Sequence, residues 1–148
     1  MTIATDEILL RHAEHDDELR ACYATMASLR PDLRDAEELR TRVRRQHAQG
    51  YRLLAAWRGG EPLGLAGYRE QENLIYGRFV YVDDLVVRED ARREQLGERL
   101  LTAVAAEARR LGCARLVLDT GMANALAQRF YFRQGLLAVG MHFGRSLD

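Results

Sequence analysis

The chain has 148 residues, of which 47% are hydrophobic, and its 22 basic and 22 acidic side chains leave no formal net charge. That length fits one domain with a substantial core, residues 1–148. The charge balance argues against a broad electrostatic surface for nucleic acid or an anionic membrane. All 22 basic residues are arginine, so neither a lysine Schiff base nor a lysine general base is available.

The first part of the chain predicts a strand, two helices and three more strands. Residues 8–13 have the pattern of a short strand, and residues 16–29 place their apolar side chains on one helical face. A second helix is predicted over residues 35–48, with Asp35 as its cap and Gly50 after its end. The three strands that follow are residues 51–58, 62–71 and 78–87.

The second part alternates helices and strands. A helix is predicted from about Leu96 to Leu111, then a buried strand over residues 115–119, a helix over 124–134 and a last strand over 136–144. The order β-α-α-β-β-β-α-β-α-β predicts an α/β fold. Its central sheet is mixed, mostly antiparallel and flanked by helices.

Composition also bears on the cellular compartment. The apolar runs are too short to cross a bilayer, and the charges between Asp6 and Glu18 interrupt any signal-peptide core. The two cysteines, Cys22 and Cys113, have neither a metal-ligand spacing nor the number that a disulfide framework needs. We therefore predict a cytoplasmic protein that needs no metal.

The segment from Tyr81 to Leu101 is the most informative part of the sequence. An apolar strand with two carboxylates, Asp83 and Asp84, leads through an arginine-bearing turn into an amphipathic helix. The first N–H groups of a helix have no partner inside it, so they and the turn arginines form a candidate anion site. A solvated loop before a surface helix explains the turn equally well.

This segment resembles the GNAT superfamily of N-acetyltransferases, whose signature is a strand, then Gln/Arg-x-x-Gly-x-Gly/Ala, then a helix. Arg92 matches the first position and Gly97 the last, whereas Gln95 stands where the middle glycine is expected. Gln95 keeps its N–H, so phosphate binding survives if the backbone there is unstrained, and its side chain takes space beside the cofactor. The resemblance implies the GNAT fold and acetyl-CoA as co-substrate. The implied cofactor contacts are Leu85, Val86, Val87, Arg92, Arg93, Glu94, Gln95, Leu96, Gly97, Glu98, Asn124 and Tyr131.

The helix after Asn124 carries a second motif of this resemblance, which extends to Gly135. Asn124 and Tyr131 are two helical turns apart and share a face. On spacing alone, a capping asparagine and a core tyrosine explain the pair. The resemblance implies instead that Asn124 bonds the pantetheine region and that Tyr131 is the general acid that protonates the departing thiolate. A phenol, with a reference pKa of about 10, holds its proton at neutral pH.

Asp83 and Asp84 are the candidates for the general base. Strand alternation predicts that their side chains point to opposite faces of the sheet, and a buried carboxylate can accept the proton of an amine. The pair resembles the acidic pair of the spermidine/spermine N-acetyltransferases. We favour Asp83 as the base, and a structural role for Asp84 stays open. Tyr23 and His142 are further candidates for substrate binding, with a core or surface role as the alternative for His142.

These observations predict direct transfer of acetyl from acetyl-CoA to a primary amine of a small molecule. No nucleic-acid or membrane partner and no metal is expected, and the resemblance implies a homodimer through the last strands. Two alternatives stay open. One is an acyl-CoA-binding module that has lost catalysis and acts as a sensor or partner subunit, which the departure at Gln95 favours. The other is an acetyltransferase of peptide N-termini.

Overall fold

The computed structural model describes residues 7–148, which form two compact units, one ending at Val117 and the other running from Leu118 to Asp148. A five-stranded sheet has the order β1-β2-β3-β4-β5. Its first four strands are antiparallel, and β5 runs parallel to β4. This confirms the predicted α/β class with a mixed, mostly antiparallel sheet. The strands are β1 (Ile8–His12), β2 (Arg52–Arg58), β3 (Glu61–Asn73), β4 (Gly77–Val87) and β5 (Arg115–Leu118).

The helices begin and end close to the predicted residues, with one difference. The helices are α1 (Asp16–Ala21), α2 (Tyr23–Leu29), α3 (Ala36–His47), α4 (Leu96–Arg110) and α5 (Ala125–Arg133), and a 3₁₀ helix, Glu89–Glu94, precedes α4. The single helix predicted over residues 16–29 is divided at Cys22. The Cys22 N–H bonds to the Leu19 carbonyl, 3.2 Å away and three residues back, which tightens the last turn of α1.

Apolar side chains cover both faces of the sheet. On one face, Leu19, Met26 and Val43 of the first three helices join a buried cluster with strand residues such as Leu65. On the other, α4 buries Leu96, Leu100, Leu101, Val104 and Ala108. A Cβ built on Gly64 would lie 3.0 Å from the Leu100 side chain, so a glycine there lets α4 approach the sheet closely. Among residues 7–148, no helix has both the length and the apolar character that crossing a bilayer requires.

The strand predicted over residues 136–144 is not formed, and this prediction is wrong. The apolar residues alternate as in a strand, but a strand is stable only when its backbone pairs with a neighbour. The structure assigns no ladder to this segment. Leu137, Val139, Met141 and Phe143 are exposed as a result. The order of elements otherwise follows the prediction through α5.

Candidate active site

A β-bulge in β4 decides where the two aspartates point. Asp84 pairs with Gly67 on β3 and Val82 pairs with Tyr68, so Asp83 is an extra residue without a partner. Directly paired residues of antiparallel strands share a face, and the bulge therefore brings Asp84 to the same face as Asp83. The expectation that the two carboxylates lie on opposite faces is wrong, because strict alternation holds only where the register is unbroken.

Asp84 is held at both of its carboxylate oxygens. Arg30, which follows α2, donates from Nε to Asp84 Oδ1 at 2.8 Å, and the Tyr51 hydroxyl donates to Oδ2, also at 2.8 Å. Arg30 also donates from Nη2 to the backbone carbonyl of Asp83 at 2.8 Å. The arginine thus ties the backbone of the bulge and the side chain that follows it to the end of α2.

Asp83 keeps one oxygen available. Its Oδ1 accepts from Arg69 Nε at 3.0 Å, and Oδ2 makes no hydrogen bond within residues 7–148 and remains open to solvent. Partial burial raises the pKa of Asp83, the hydrogen bond from Arg69 opposes that change, and the nearby charge of Asp84 adds to it. A carboxylate with a free oxygen and a raised pKa has the properties of a proton acceptor, and Asp83 has them.

Arg69 is supported from three directions. Its guanidinium donates from Nη1 to Gln49 at 2.9 Å and from Nη2 to Gln46, and it lies over the Tyr51 ring, 5.2 Å from the centroid. The side chain is only 12% exposed, so the arginine is part of the wall of the site. Sequence reasoning missed Arg69. It missed Tyr51 as well, and it missed the contact between Arg30 and Asp84, because Asp84 is 33 and 54 positions away from these residues and no local spacing links them.

The turn before α4 offers the donors that an anion needs. The first helical hydrogen bond of α4 runs from the Arg99 N–H to the Gln95 carbonyl at 3.1 Å, so the N–H groups of residues 96–98 have no partner in the helix. Arg92 and Arg93 are exposed and form no ion pair within residues 7–148. Glu94, in contrast, is held by Arg58 at 2.7 and 2.8 Å. The turn therefore presents free N–H groups and two free guanidinium groups.

Gln95 is the strained residue of this turn. Its φ of 56° and ψ of 34° lie in the left-handed region, and among residues 7–148 no other non-glycine residue has a positive φ. A glycine adopts this conformation without the steric clash that a Cβ creates. The structure thus gives a physical reason for the glycine of the signature. The backbone at Gln95 is strained, while the N–H groups of residues 96–98 stay without a helical partner.

Within the first unit, residues 85–87 at the end of β4 have a neighbouring strand on one side only. Leu85, Val86 and Val87 pair with β3. The Ala114 N–H bonds to the Arg78 carbonyl at 3.3 Å, and the four residues of β5 then run parallel to β4. Parallel strands advance by nearly the same distance per residue, so Val117, the last residue of β5 in this unit, lies beside about Tyr81. The backbone of residues 85–87 is open to a ligand along its other edge within this unit.

Asn124 and Tyr131 belong to the second unit. Asn124 caps α5, because its side-chain oxygen accepts from the Ala127 N–H at 3.1 Å, which confirms the capping interpretation. Tyr131 packs edge-on against Phe130, with 5.5 Å between ring centroids, and burial raises its pKa. Its hydroxyl makes no hydrogen bond within the described residues, and the phenol is protonated at neutral pH.

The two other candidates for substrate binding have intramolecular partners. The Tyr23 hydroxyl donates to the Leu33 carbonyl at 3.1 Å. His142 Nδ1 lies 2.9 Å from Asp119 Oδ2, with 69% of the histidine side chain exposed. The first unit thus contains Asp83, Asp84 and the turn before α4, and the second unit contains Asn124, Tyr131 and His142.

Comparison with known proteins identifies a family to which this chain is similar. The family model described as acetyltransferase (GNAT) family matches residues 9–136. The aminoalkylphosphonate N-acetyltransferase of Salmonella typhimurium strain LT2 is 32% identical over 98 residues, a match that spans 66% of this chain and 62% of that protein.

Solved structures give the same fold. An acetyltransferase of Trypanosoma brucei superposes with a TM-score of 0.79 at 20% identity, covering 95% of this chain and 100% of that one. The glucosamine-6-phosphate N-acetyltransferase of Arabidopsis thaliana has a TM-score of 0.77 at 17% identity, with 96% and 99% covered. An aminoglycoside N-acetyltransferase, AAC(6')-Iy, solved in complex with CoA, has a TM-score of 0.81 at 18% identity, with 95% of each chain covered.

Proposed function

We propose that this chain, which belongs to the acetyltransferase (GNAT) family, transfers an acetyl group from acetyl-CoA directly to a primary amine of a small molecule. The observation that carries the proposal is Asp83. The bulge in β4 presents a partly buried carboxylate with one free oxygen, and the same strand leads into a turn with unpaired N–H and guanidinium groups. We propose that residues 1–148 belong to one GNAT-type domain.

The residues of the first unit fit acetyl-CoA. Free N–H groups at a helix N-terminus and two unpaired arginines suit a pyrophosphate, which we assign to Arg92, Arg93 and residues 94–98. The open backbone edge of residues 85–87 suits the amide groups of pantetheine, because main-chain donors and acceptors are exposed along it. We assign Asn124 a further contact with pantetheine, for which its side-chain nitrogen remains available.

In the proposed reaction, Asp83 Oδ2 takes a proton from the acceptor ammonium, directly or through one water. The amine nitrogen then attacks the thioester carbonyl carbon, and backbone N–H groups of β4 stabilise the charge that develops on the carbonyl oxygen. The C–S bond breaks as the amide forms, and the second proton that the nitrogen loses in becoming a neutral amide passes to water. The Tyr131 hydroxyl gives its proton to the departing thiolate, which its raised pKa suits because the phenol is protonated beforehand.

Charge near Asp83 informs the class of acceptor. Each carboxylate has an arginine partner, Arg69 for Asp83 and Arg30 for Asp84, so the four groups together carry no net charge. A polyamine gains most from a surplus of negative charge, and this network has none, which favours a small acceptor with one amine. The Salmonella relative, by its name, acetylates aminoalkylphosphonates.

We propose that Tyr23 and His142 also contact the acceptor. A cytoplasmic location and a homodimer stay predictions.

The proposal is tested by binding and then by turnover. At 100 times its dissociation constant, acetyl-CoA stabilises a native protein by about 2.7 kcal/mol, which raises the melting temperature of a chain of this size by about 5–10 °C. With an amine panel that includes aminoalkylphosphonates, thiol release should exceed the rate without amine. If millimolar acetyl-CoA leaves the melting temperature unchanged, the proposed co-substrate is wrong.

A second function, an acyl-CoA-binding module without catalysis, is favoured by the strain at Gln95. It predicts the same thermal stabilisation by acetyl-CoA but no amine-dependent thiol release with any member of the panel. Acetylation of a peptide N-terminus is the remaining alternative, and short peptides in the panel test it directly.

A further inference from the structure

The Tyr51 side chain lies against the backbone of β3, beneath both aspartates. The residue is only 3% exposed and precedes β2. A Cβ built on Gly67 would lie 1.8 Å from the Tyr51 hydroxyl oxygen and 2.5 Å from Cζ. Only glycine leaves room for the ring at this point of β3. Gly67 is also the residue that faces Asp84 across the bulge, so the ring lies directly below the irregular part of β4.

The hydroxyl of Tyr51 holds one of the two carboxylates. It donates to Asp84 Oδ2 at 2.8 Å while Arg30 occupies Oδ1. A carboxylate with both oxygens engaged keeps its orientation, and Arg30, held by it, keeps its bond to the Asp83 carbonyl. The hydroxyl thus acts on the backbone of the bulge through Asp84 and Arg30.

The ring of Tyr51 holds the other carboxylate through Arg69. The Arg69 guanidinium lies 5.2 Å from the ring centroid and donates from Nε to Asp83 Oδ1 at 3.0 Å. A cation over an aromatic face is attracted to it, more so when it is removed from water, and Arg69 is 12% exposed. One buried side chain therefore supports Asp83 along two routes, one through its hydroxyl and one through its ring.

We infer that Tyr51 is a positioning residue that fixes Asp83 Oδ2 for proton transfer. This inference rests on the proposed function, in which Asp83 is the base. Misplacement of a reacting group by about 1 Å can reduce a rate by about 100-fold, so support from a residue that does not touch the substrate has a measurable effect.

The test compares Tyr51→Phe, which keeps the ring, with Tyr51→Leu, which removes both routes. We expect Tyr51→Phe to lower kcat by about 10-fold and Tyr51→Leu by about 100-fold, with the KM for acetyl-CoA unchanged. Tyr68→Phe is the matched control. Tyr68 is also 3% exposed and also makes one hydroxyl hydrogen bond, to His12 at 2.7 Å, but it faces the other side of the sheet. The control should keep the wild-type kcat.

A double-mutant cycle separates positioning from a general loss of structure. Both tyrosine variants are remade with Asp83→Asn and assayed near pH 10, where much of the acceptor amine is deprotonated and the variant without a base still turns over. If Tyr51 acts through Asp83, Tyr51→Phe has less than a twofold effect in that background. An equal loss in both backgrounds overturns the inference, as does a Tyr68→Phe loss as large as that of Tyr51→Phe.

The outcomes also distinguish this inference from the proposed function. If Asp83→Asn alone keeps wild-type activity at neutral pH, the assignment of the base is wrong and the inference about Tyr51 is overturned with it. If Asp83→Asn lowers kcat, but the fold losses of the Asp83 and Tyr51 substitutions simply multiply in the double variant, only the role of Tyr51 is wrong. A urea titration of each variant identifies any that is partly unfolded at the assay temperature. If Tyr51→Leu is partly unfolded, the result for Tyr51→Phe, the less disruptive change, tests the inference.

Discussion

Replacing Gln95 with glycine should stabilise the protein. A residue with a Cβ costs about 1–2 kcal/mol in the left-handed region, which Gln95 occupies with a φ of 56°. Glycine removes that cost but loses about 0.4–1 kcal/mol through the greater freedom of the unfolded chain. The midpoints of these two ranges differ by a net gain of about 0.8 kcal/mol, which corresponds to an increase in melting temperature of about 2–3 °C. Equilibrium urea unfolding measures it as a higher midpoint with an unchanged slope.

Gln95→Ala is the control for the side chain itself. Alanine removes the amide but keeps the Cβ, so it retains the backbone strain and should not share the gain in stability. Equal midpoints for the alanine and glycine variants would refute the assignment of strain to φ. Acetyl-CoA affinity gives an independent result. If both variants bind acetyl-CoA more tightly than the wild type, the glutamine side chain crowds the cofactor, whereas unchanged affinity in both means that the signature tolerates glutamine.

Four further predictions follow from single groups. Because burial raises the pKa of Asp83, the fall of kcat/KM towards acidic pH should have its midpoint above the usual carboxylate range near pH 4. Asp83→Asn should abolish this fall, and a fall that persists in the variant belongs to another base. Replacing Arg92 and Arg93 with glutamine should weaken acetyl-CoA binding by about 10-fold at low salt and by less at high salt, and a salt-independent loss would contradict an electrostatic role. Tyr131→Phe should lower kcat by about 100-fold while acetyl-CoA binding is kept, and equal losses would remove the assignment of the acid. Hydrogen bonds, above all the one from Arg11, lower the pKa of Glu18 from 4.5 to about 2. Its contribution to the free energy of unfolding is therefore present above about pH 4.5 and is lost as the pH falls towards 2. In Glu18→Gln the free energy of unfolding should change less with pH over this range, and parallel pH dependences for the two proteins would contradict the assignment.

Features that depend on nearby residues were predictable from the sequence. The Asp35 side chain accepts from the Glu38 N–H at 2.8 Å, three residues along the chain, and Asn124 caps α5 in the same way. The arginine-bearing turn and the start of α4 at Leu96 also follow from local sequence. Helix caps and turns are closed by hydrogen bonds over a few positions, which is why their sequence patterns identify them.

Features that depend on pairing between distant segments were not predictable. Alternation within the Tyr81–Val87 segment places Asp83 and Asp84 on opposite faces, but the register with β3 inserts Asp83 as a bulge and turns both to one face. The segment over residues 136–144 has the composition of a strand and lacks a ladder partner. In both cases the outcome is set by a neighbouring strand, whose register a local pattern does not contain.

The sequence by itself thus determined the type and order of most elements, the arginine-bearing turn before α4 and the two adjacent carboxylates upstream of it, since each of these depends on local spacing. Only the tertiary structure decided which carboxylate is free. Arg30, Tyr51 and Arg69 reach the pair from three separate segments, and they occupy three of its four oxygens, which leaves Asp83 Oδ2 without a hydrogen bond within residues 7–148. Tertiary structure also decided that Gln95 is left-handed, because the entry of the chain into α4 imposes a backbone conformation that glutamine would not adopt on its own.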